Sequence, residues 1–208
     1  KIYLKVFIDS LVDEMNDQGF SIRNHTYPHM HCAFTFNYTN TIDKLYASNG
    51  EVCHLHGNVD NNIVLGVNPN EYDEYENVDT SFIYFKKYFQ RVFFKTDVEY
   101  IKKILALKNS QQNTPRIKYE RNVYVIGHSL DETDKDVIKE IFELATNITI
   151  YYHQIEKVGD YIKNLVSIYG KAGFDMLRTT KNLEFTDFSA IMKKRRRKYD
   201  QFRSITSF

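Results

Sequence analysis

The stretch "NVYVIGHSLDETDKDVIKEIFELATNITIYYH", residues 122–153, decides the fold of this chain. Both of its ends, "VYVI" and "ITIYY", are runs of β-branched and aromatic residues, which are typical of buried strands. Between them, Ile138, Ile141, Phe142 and Ala145 recur at helical spacing, which predicts a helix with one buried face. A strand, a helix and a second strand in succession indicate a parallel α/β sheet.

The alternation of strands and helices continues on both sides of this stretch. Further strands are predicted at "CAFTFNYTN", "EVCHLHG", "NIVLGVN" and "NLEFTDF", and further helices at "KIYLKVFIDSLVDEMND", "TIDKLYA" and "IEKVGDYIKNLVSIYGKAG". A helical insertion around residues 82–107 interrupts the alternation and carries Phe85, Tyr88, Phe89 and Val92 on one face of its first helix. We therefore predict a doubly wound, mostly parallel sheet in a single domain over residues 1–192, followed by a basic tail at 193–208.

Composition excludes several classes of protein. The 208 residues suit one domain, and the formal net charge of +1 provides no whole-chain argument for binding nucleic acid or a membrane. No apolar run approaches the roughly 20 residues that span a bilayer. The chain has only two cysteines and no signal-peptide pattern, so we expect a reducing, cytoplasmic setting.

Three predicted strands end in polar residues. Asn37 follows "AFTF", His56-Gly57 follows "EVCHL", and Gly127-His128-Ser129 follows "NVYVI". Ligands of open parallel sheets bind beyond the carboxyl ends of the strands, so convergence of the three ends predicts a binding site. Taken singly, Asn37 also suits an Asx-turn or a helix N-cap, and His56 also suits a structural histidine.

The motifs "FNYTNT", "HLHGN" and "IGHSL", in that order, resemble the AbiH family of bacterial abortive-infection proteins and, more distantly, the sirtuin-like fold. The resemblance covers residues 33–145 in ordered blocks. It implies a sirtuin-like, Rossmann-like sheet, antiphage defence and the hydrolysis of NAD or a related nucleotide. It assigns catalytic roles to Asn37 and His56. It assigns cofactor contacts to Thr35, Gly57, Gly127, His128, Ser129 and Asp134.

The implied chemistry suits an asparagine and a histidine. The nicotinamide of NAD is a cationic group that leaves neutral, so its release needs no general acid, unlike ordinary glycoside hydrolysis. An amide such as that of Asn37 donates and accepts hydrogen bonds without adding charge. Histidine side chains in general have an unperturbed pKa of about 6.5, which suits a base near neutral pH, and His56 is the histidine in this position.

The chain departs from the sirtuin pattern at several places. Thr39 stands where an aspartate is usual, and no paired CxxC modules are present, so lysine deacylation and a zinc subdomain are not expected. The only early glycine turn, "DQGFS", follows a helix instead of a strand and does not match a pyrophosphate turn. The resemblance to AbiH proteins implies such a strand and turn near the N-terminus. Either they lie upstream of residue 1, or this chain does not bind a dinucleotide, and we expect this fragment to be inactive.

A serine hydrolase is an alternative interpretation of "VYVIGHSLD". Ser129 would be the nucleophile of a G-x-S-x-G elbow, with His153 as base and Asp160 or Asp187 as the third member. Asp131 stands in place of the second glycine, where its side chain would crowd the turn. Ser129 is better suited to hold a phosphate or a ribose.

Other clusters point to further partners. His25, His29, His31 and Cys32 lie in one histidine-rich stretch, but their spacing matches no regular metal site, so no metal is predicted. The run "KKRRRK", residues 193–198, would suit a phosphate backbone, which leaves a nucleotide- or nucleic-acid-sensing module as the alternative to an enzyme. The candidate partners are a small-molecule nucleotide, a phage component as trigger, nucleic acid at 193–198 and a second copy in a homo-oligomer.

Overall fold

A computed structural model of the chain describes residues 32–45, 51–66, 83–112 and 120–188. The chain divides into two compact units, residues 1–106 and 107–208. The predicted N-terminal helix, the histidines before Cys32 and the basic run at 193–198 lie outside the described residues. The predicted domain end at residue 192 lies outside them as well and stays a prediction.

The first unit contains a pair of parallel strands, as the alternating pattern predicted. Strand β1, Cys32–Thr35, pairs with strand β2, Glu51–His54, and helix α1, Thr41–Leu45, lies between them in sequence. Ala33, Cys53 and Leu55 are buried and anchor the pair in an apolar core. The pairing brings the carboxyl ends of the two strands side by side.

The prediction of a strand at "NIVLGVN" is wrong for residues 62–66, the part of this segment that the structure describes. Residues 62–66 are irregular, and their backbone groups find partners outside any ladder. The Val64 N–H donates to the His56 carbonyl at 2.8 Å, and the Leu65 N–H donates to the Gln90 side chain at 2.7 Å. Ile63 and Val64 are buried, so the apolar run serves the core without pairing with a neighbouring strand.

Two helices occupy the segment predicted as an insertion. A 3-10 turn at Ile83–Phe85 precedes helix α2, Lys87–Phe94, and helix α3 spans Val98–Gln112. Whether they form an insertion into a larger fold stays a prediction.

Helix α2 turns its aromatic face outward. Phe85, in the 3-10 turn just before the helix, and Tyr88 are 64% and 65% exposed, whereas Arg91 on another side of the helix is 3% exposed. The reason lies in Gln90, whose side-chain oxygen accepts from the Leu65 N–H and whose side-chain nitrogen donates to the Tyr84 carbonyl at 2.8 Å. The bond to Leu65 holds this side of the helix against residues 62–66, while Tyr88 and Val92 of the apolar stripe are exposed.

The second unit is built on a parallel sheet in the order β3-β4-β5. Strand β3, Asn122–Ile126, leads through a 3-10 turn at Glu132–Asp134 into helix α4, Lys135–Leu144. Strand β4, Asn147–Tyr152, helix α5, Lys157–Thr180, and strand β5, Leu183–Asp187, follow. The mixed α/β class with parallel strands is confirmed, and the doubly wound, sirtuin-like arrangement stays a prediction.

The core of the second unit lies on one face of this sheet. It joins apolar side chains of the turn after β3, α4, β4 and α5, namely Leu130, Ile138, Phe142, Ala145, Ile148, Ile150, Leu165, Ile168, Phe174 and Leu177. The predicted helical stripe is thus buried, with Ile141 packed at its margin. Burying these side chains provides the main driving force for folding the unit.

Candidate functional site

Asn37 and His56 occupy equivalent places beyond the first pair of strands. The last paired residues of β1 and β2 are Thr35 and His54, and each candidate lies two residues further along the chain. Because the strands are parallel, both candidates lie at the same edge of the β1–β2 pair. This juxtaposition agrees with the general position of ligands in parallel sheets.

Thr35 sets the conformation of the chain that leads into Asn37. The buried Thr35 Oγ1 accepts a hydrogen bond of 3.1 Å from the Asn37 N–H, and the Thr35 carbonyl accepts one of 2.9 Å from the Leu55 N–H. The Thr35 hydroxyl therefore turns the backbone out of the strand, and the Asn37 residue is exposed.

His56 packs among aromatic rings. Its ring centroid lies 5.3 Å from that of Phe36, edge to face, and 6.3 Å from that of Tyr38, and the residue is only 4% exposed. The sequence placed His56 at the strand end, but its enclosure by these rings is a tertiary feature. An imidazole in these surroundings is held in a fixed orientation and is shielded from bulk water.

Gly57 is required by a close approach of the backbone. Its φ is +71°, and a Cβ at this position would lie 1.6 Å from the Asn62 carbonyl oxygen. The Gly57 N–H donates to the His54 carbonyl at 3.1 Å, which closes a tight turn around His56. Only glycine combines this φ with this clearance, because it has no Cβ.

The chain segments that follow β1 and β2 are fastened together. The Val59 N–H donates to the Tyr38 carbonyl at 2.9 Å, and the Tyr38 hydroxyl donates to the Val64 carbonyl, also at 2.9 Å. The Asn40 amide donates to Asp60 at 2.7 Å. These bonds hold the two strand ends as one rigid structure, as a site with defined geometry requires.

A histidine–aspartate pair lies beside Asn37, and neither of its members is among the residues predicted from the sequence. His54 Nε2 lies 2.8 Å from Asp43 Oδ2, and His54 Nδ1 lies 3.4 Å from the Asn37 carbonyl oxygen. The one available signal was the spacing in "HLH", because alternate residues of a strand share a face. The contact with Asp43 depends on where α1 packs, which the local pattern does not show.

The turn after β3 presents its backbone openly. Gly127 has a φ of +69°, and a Cβ there would meet no atom within 4 Å. The Leu130 N–H donates to His128 Nδ1 at 2.9 Å, so the proton of the neutral ring lies on Nε2, which is 3.7 Å from the buried Asp134 carboxylate. Asp134 is therefore connected to the turn after β3 through the His128 ring.

Ser129 lies exposed in the same turn. Its carbonyl accepts a hydrogen bond of 2.9 Å from the Asn164 side chain of α5. Besides Gly127, Leu130 is also in the left-handed conformation, with a φ of 56° and a buried side chain. The strained position of this turn is therefore an apolar anchor that follows the serine.

The predicted site residues fall into two groups. Asn37, His56, Thr35 and Gly57 lie in the first unit, and the group Gly127, His128, Ser129 and Asp134 lies in the second. Within each group the residues are brought together at the end of a parallel strand. Convergence of the two groups on one ligand stays a prediction.

The described segments of the chain contain neither a metal cluster nor a membrane-spanning helix. No group of three or more His, Cys, Asp or Glu side chains there is arranged to hold a metal ion. No helix in those segments is long and apolar enough to cross a bilayer.

The chain was compared with known proteins. Neither the curated proteins nor the solved structures contain a match. The family described as bacteriophage abortive infection AbiH matches residues 1–153, which is more than half of the chain and includes all three motifs. The chain therefore belongs to the AbiH family, whose description indicates defence against phage by abortive infection.

Proposed function

We propose that this protein hydrolyses the nicotinamide–ribose bond of NAD, or the corresponding bond of a related nucleotide, as the chemical step of abortive infection. The observation that carries the proposal is the position of Asn37 and His56 at the carboxyl ends of neighbouring parallel strands. Parallel sheets bind nucleotides beyond this edge, and no carboxylate pair of the kind used in ordinary glycoside hydrolysis is needed there.

Asn37 and His56 have different roles in the proposed reaction. The bond between ribose and nicotinamide breaks with its electron pair passing to the cationic ring, which leaves as neutral nicotinamide. Water adds to the ribose carbon, and His56 accepts its proton as general base. Asn37 orients the water and a ribose hydroxyl through its amide, which both donates and accepts hydrogen bonds.

The packing around His56 supports this assignment. Its ring lies beside the rings of Phe36 and Tyr38, which keep bulk water from the reacting centre. Electrostatic interactions act more strongly where water is excluded. The same aromatic rings are suited to contact the nicotinamide ring by stacking.

The turn after β3 is assigned to hold a phosphate or a ribose. Gly127 leaves its backbone open, and the exposed Ser129 carries a hydroxyl that can donate to a phosphate oxygen. His128 presents its Nε2 proton between this turn and Asp134. These groups suit the binding of a phosphate or ribose and have no part in bond cleavage.

The test is nicotinamide release from NAD by the full-length protein and by variants of that full-length protein. His56→Ala should lower turnover about 10²- to 10⁴-fold, which is the usual contribution of a general base. Asn37→Ala should abolish turnover without unfolding the chain. His153→Ala is the matched control, because this exposed histidine packs against Phe188 in the second unit. Full activity in the His56 variant, with the His153 variant equally active, would refute the base assignment.

A nucleotide sensor without catalysis is the second candidate function. It is favoured by the enclosure of His56, since a ring that is 4% exposed also suits a purely structural role. Calorimetric titration with NAD separates the two functions, because a sensor binds the nucleotide and releases no nicotinamide. In that case His56→Ala would change affinity and leave the nucleotide intact.

A further inference from the structure

Both backbone groups of Asn37 have partners, although the residue lies beyond the end of β1. Its N–H donates to Thr35 Oγ1 at 3.1 Å, and its carbonyl oxygen lies 3.4 Å from His54 Nδ1. A residue that has left a strand has no ladder partner for these groups, so side chains take that place. The main chain at Asn37 is therefore fixed on both sides, while the residue itself is exposed.

His54 reaches Asn37 because of the strand register. His54 is the last residue of β2, and it pairs with Thr35, the last residue of β1. Its side chain is 11% exposed, and its second ring nitrogen, Nε2, lies 2.8 Å from Asp43 Oδ2 of helix α1. The ring thus connects α1 with the segment that follows β1.

The two contacts of the His54 ring specify where its protons lie. A carboxylate and a backbone carbonyl only accept hydrogen bonds, so each ring nitrogen must carry a proton to bond its partner. The ring makes both bonds only when it is doubly protonated, and the Asp43 carboxylate then balances its charge. Of the two bonds, the shorter one to the carboxylate is the stronger. The bond to the Asn37 carbonyl is therefore the one that a singly protonated ring gives up.

The same contacts argue against His54 as the general base of the reaction. A base needs an unprotonated atom within reach of the proton that it abstracts. Both nitrogens of His54 instead face oxygen atoms of the protein. In this arrangement His54 influences the reaction through the position of Asn37.

We propose that His54, oriented by Asp43, is a positioning residue for Asn37. The inference rests on the proposed hydrolysis of the nicotinamide–ribose bond, in which the Asn37 amide orients the water and a ribose hydroxyl. The His54 ring fixes the main chain from which this amide extends, so it limits the places that the amide can occupy. Catalytic groups must be held within about 0.5 Å of their productive geometry, and supporting hydrogen bonds provide this precision.

Two substitutions of His54 separate its two bonds. The side-chain nitrogen of asparagine is as many bonds from Cα as Nδ1 is, and that of glutamine is as many bonds away as Nε2. His54→Asn therefore keeps a donor for the Asn37 carbonyl, whereas His54→Gln keeps only the donor for Asp43. The two variants form a matched pair, because each retains one of the two hydrogen bonds.

Nicotinamide release from NAD by the full-length protein measures the difference. We expect kcat to be about 10- to 100-fold lower in His54→Gln, with a smaller change in KM, because a misplaced catalytic group slows the chemical step. The kcat of His54→Asn should lie clearly closer to that of the wild type. Equal kcat values in the two variants, at the wild-type level or below it, would overturn the proposal.

Asp43→Asn tests whether the carboxylate acts through His54. Alone, this substitution removes the charge that balances the doubly protonated ring, and it should lower kcat in the same direction as His54→Gln. Added to His54→Gln, it should lower kcat little further, because the bond that it supports is already lost. Multiplied losses in the double variant would overturn the role given to Asp43.

Nuclear magnetic resonance tests the positioning separately from the proposed function. Absence of nicotinamide release by the wild-type full-length protein would refute the hydrolysis, but it would leave these signals unchanged. In His54→Gln the carbonyl carbon shift of Asn37 should change, and nitrogen relaxation should show greater motion of its side-chain amide. Both signals should stay near their wild-type values in His54→Asn. Wild-type values in both variants would overturn the proposal.

The ring nitrogen shifts of His54 in the wild-type protein decide the question if a variant fails to fold. These shifts distinguish a protonated from an unprotonated nitrogen. We expect a proton on Nδ1 at the pH of the activity assay, since the bond to the Asn37 carbonyl requires it. An unprotonated Nδ1 at that pH would overturn the proposal.

Discussion

Replacing Gly57 by alanine should destabilise the protein more than the same replacement of Gly127, which has a similar φ. The left-handed conformation costs an alanine about 1–2 kcal/mol. The new Cβ would also lie 1.6 Å from the Asn62 carbonyl oxygen and 2.7 Å from its carbon, so backbone atoms must move. Overpacking of this kind costs about 1–3 kcal/mol, which gives a total of about 2–5 kcal/mol.

Gly127→Ala is the matched control for this prediction. Its φ of +69° is close to the +71° of Gly57, but a Cβ there meets no atom within 4 Å. Its cost should therefore be only the conformational part, about 1–2 kcal/mol. The difference between the two variants isolates the steric clash with Asn62.

Chemical denaturation and amide exchange measure the two effects. The chain has 16 tyrosines and no tryptophan, so circular dichroism and tyrosine fluorescence should follow unfolding in urea. Exchange of the Val64 amide, which donates to His56, reports on the turn itself. We expect faster exchange at Val64 in Gly57→Ala and unchanged exchange there in Gly127→Ala. Equal urea midpoints, with Val64 protected in both variants, would refute the steric argument.

Three further substitutions test other parts of the molecule. Ser129→Ala should raise the KM for NAD more than it lowers kcat, because the proposal gives this hydroxyl a binding role. Steady-state kinetics measure both constants, and a loss confined to kcat would contradict the binding role. Leu165→Ala should cost about 2–5 kcal/mol in urea denaturation because the side chain is fully buried, whereas Ile162→Ala, at a position that is 37% exposed, should cost clearly less. Tyr38→Phe removes the hydrogen bond of 2.9 Å to the Val64 carbonyl and should lower stability by about 0.5–1.5 kcal/mol, and an unchanged denaturation midpoint would show that water replaces it.

Much of the secondary structure could be predicted from local patterns. The stretch at 122–153 forms the predicted strand, helix and strand, and Ile138, Phe142 and Ala145 are buried as their spacing indicated. Parallel pairing was also predictable, because alternating strands and helices leave few other arrangements. The prediction went wrong at residues 62–66, where a short apolar run proved to be a buried loop. Such runs carry no period that separates a strand from an irregular segment.

The candidate site was only partly predictable. Its positions at strand ends follow from the order of the elements, so Asn37 and His56 could be named in advance. The neighbouring contacts could not be predicted. Asp43 of α1 contacts His54 of β2, and the rings of Phe36 and Tyr38, beyond β1, contact His56, beyond β2. The outward aromatic face of α2 was likewise unpredictable, because the bonds of Gln90 to Leu65 and Tyr84 decide which side of the helix faces inward.

The sequence by itself determined most of the strands and helices, their parallel class, the family and the polar strand ends. These properties depend on residues that are near one another along the chain, so they can be predicted from the periodicity of apolar residues and from the order of the motifs. Only the tertiary structure decided that Gly57 approaches Asn62, that Asp43 contacts His54, and that His56 is enclosed. Each of these contacts joins segments whose spacing in the sequence has no period, and packing alone brings them together.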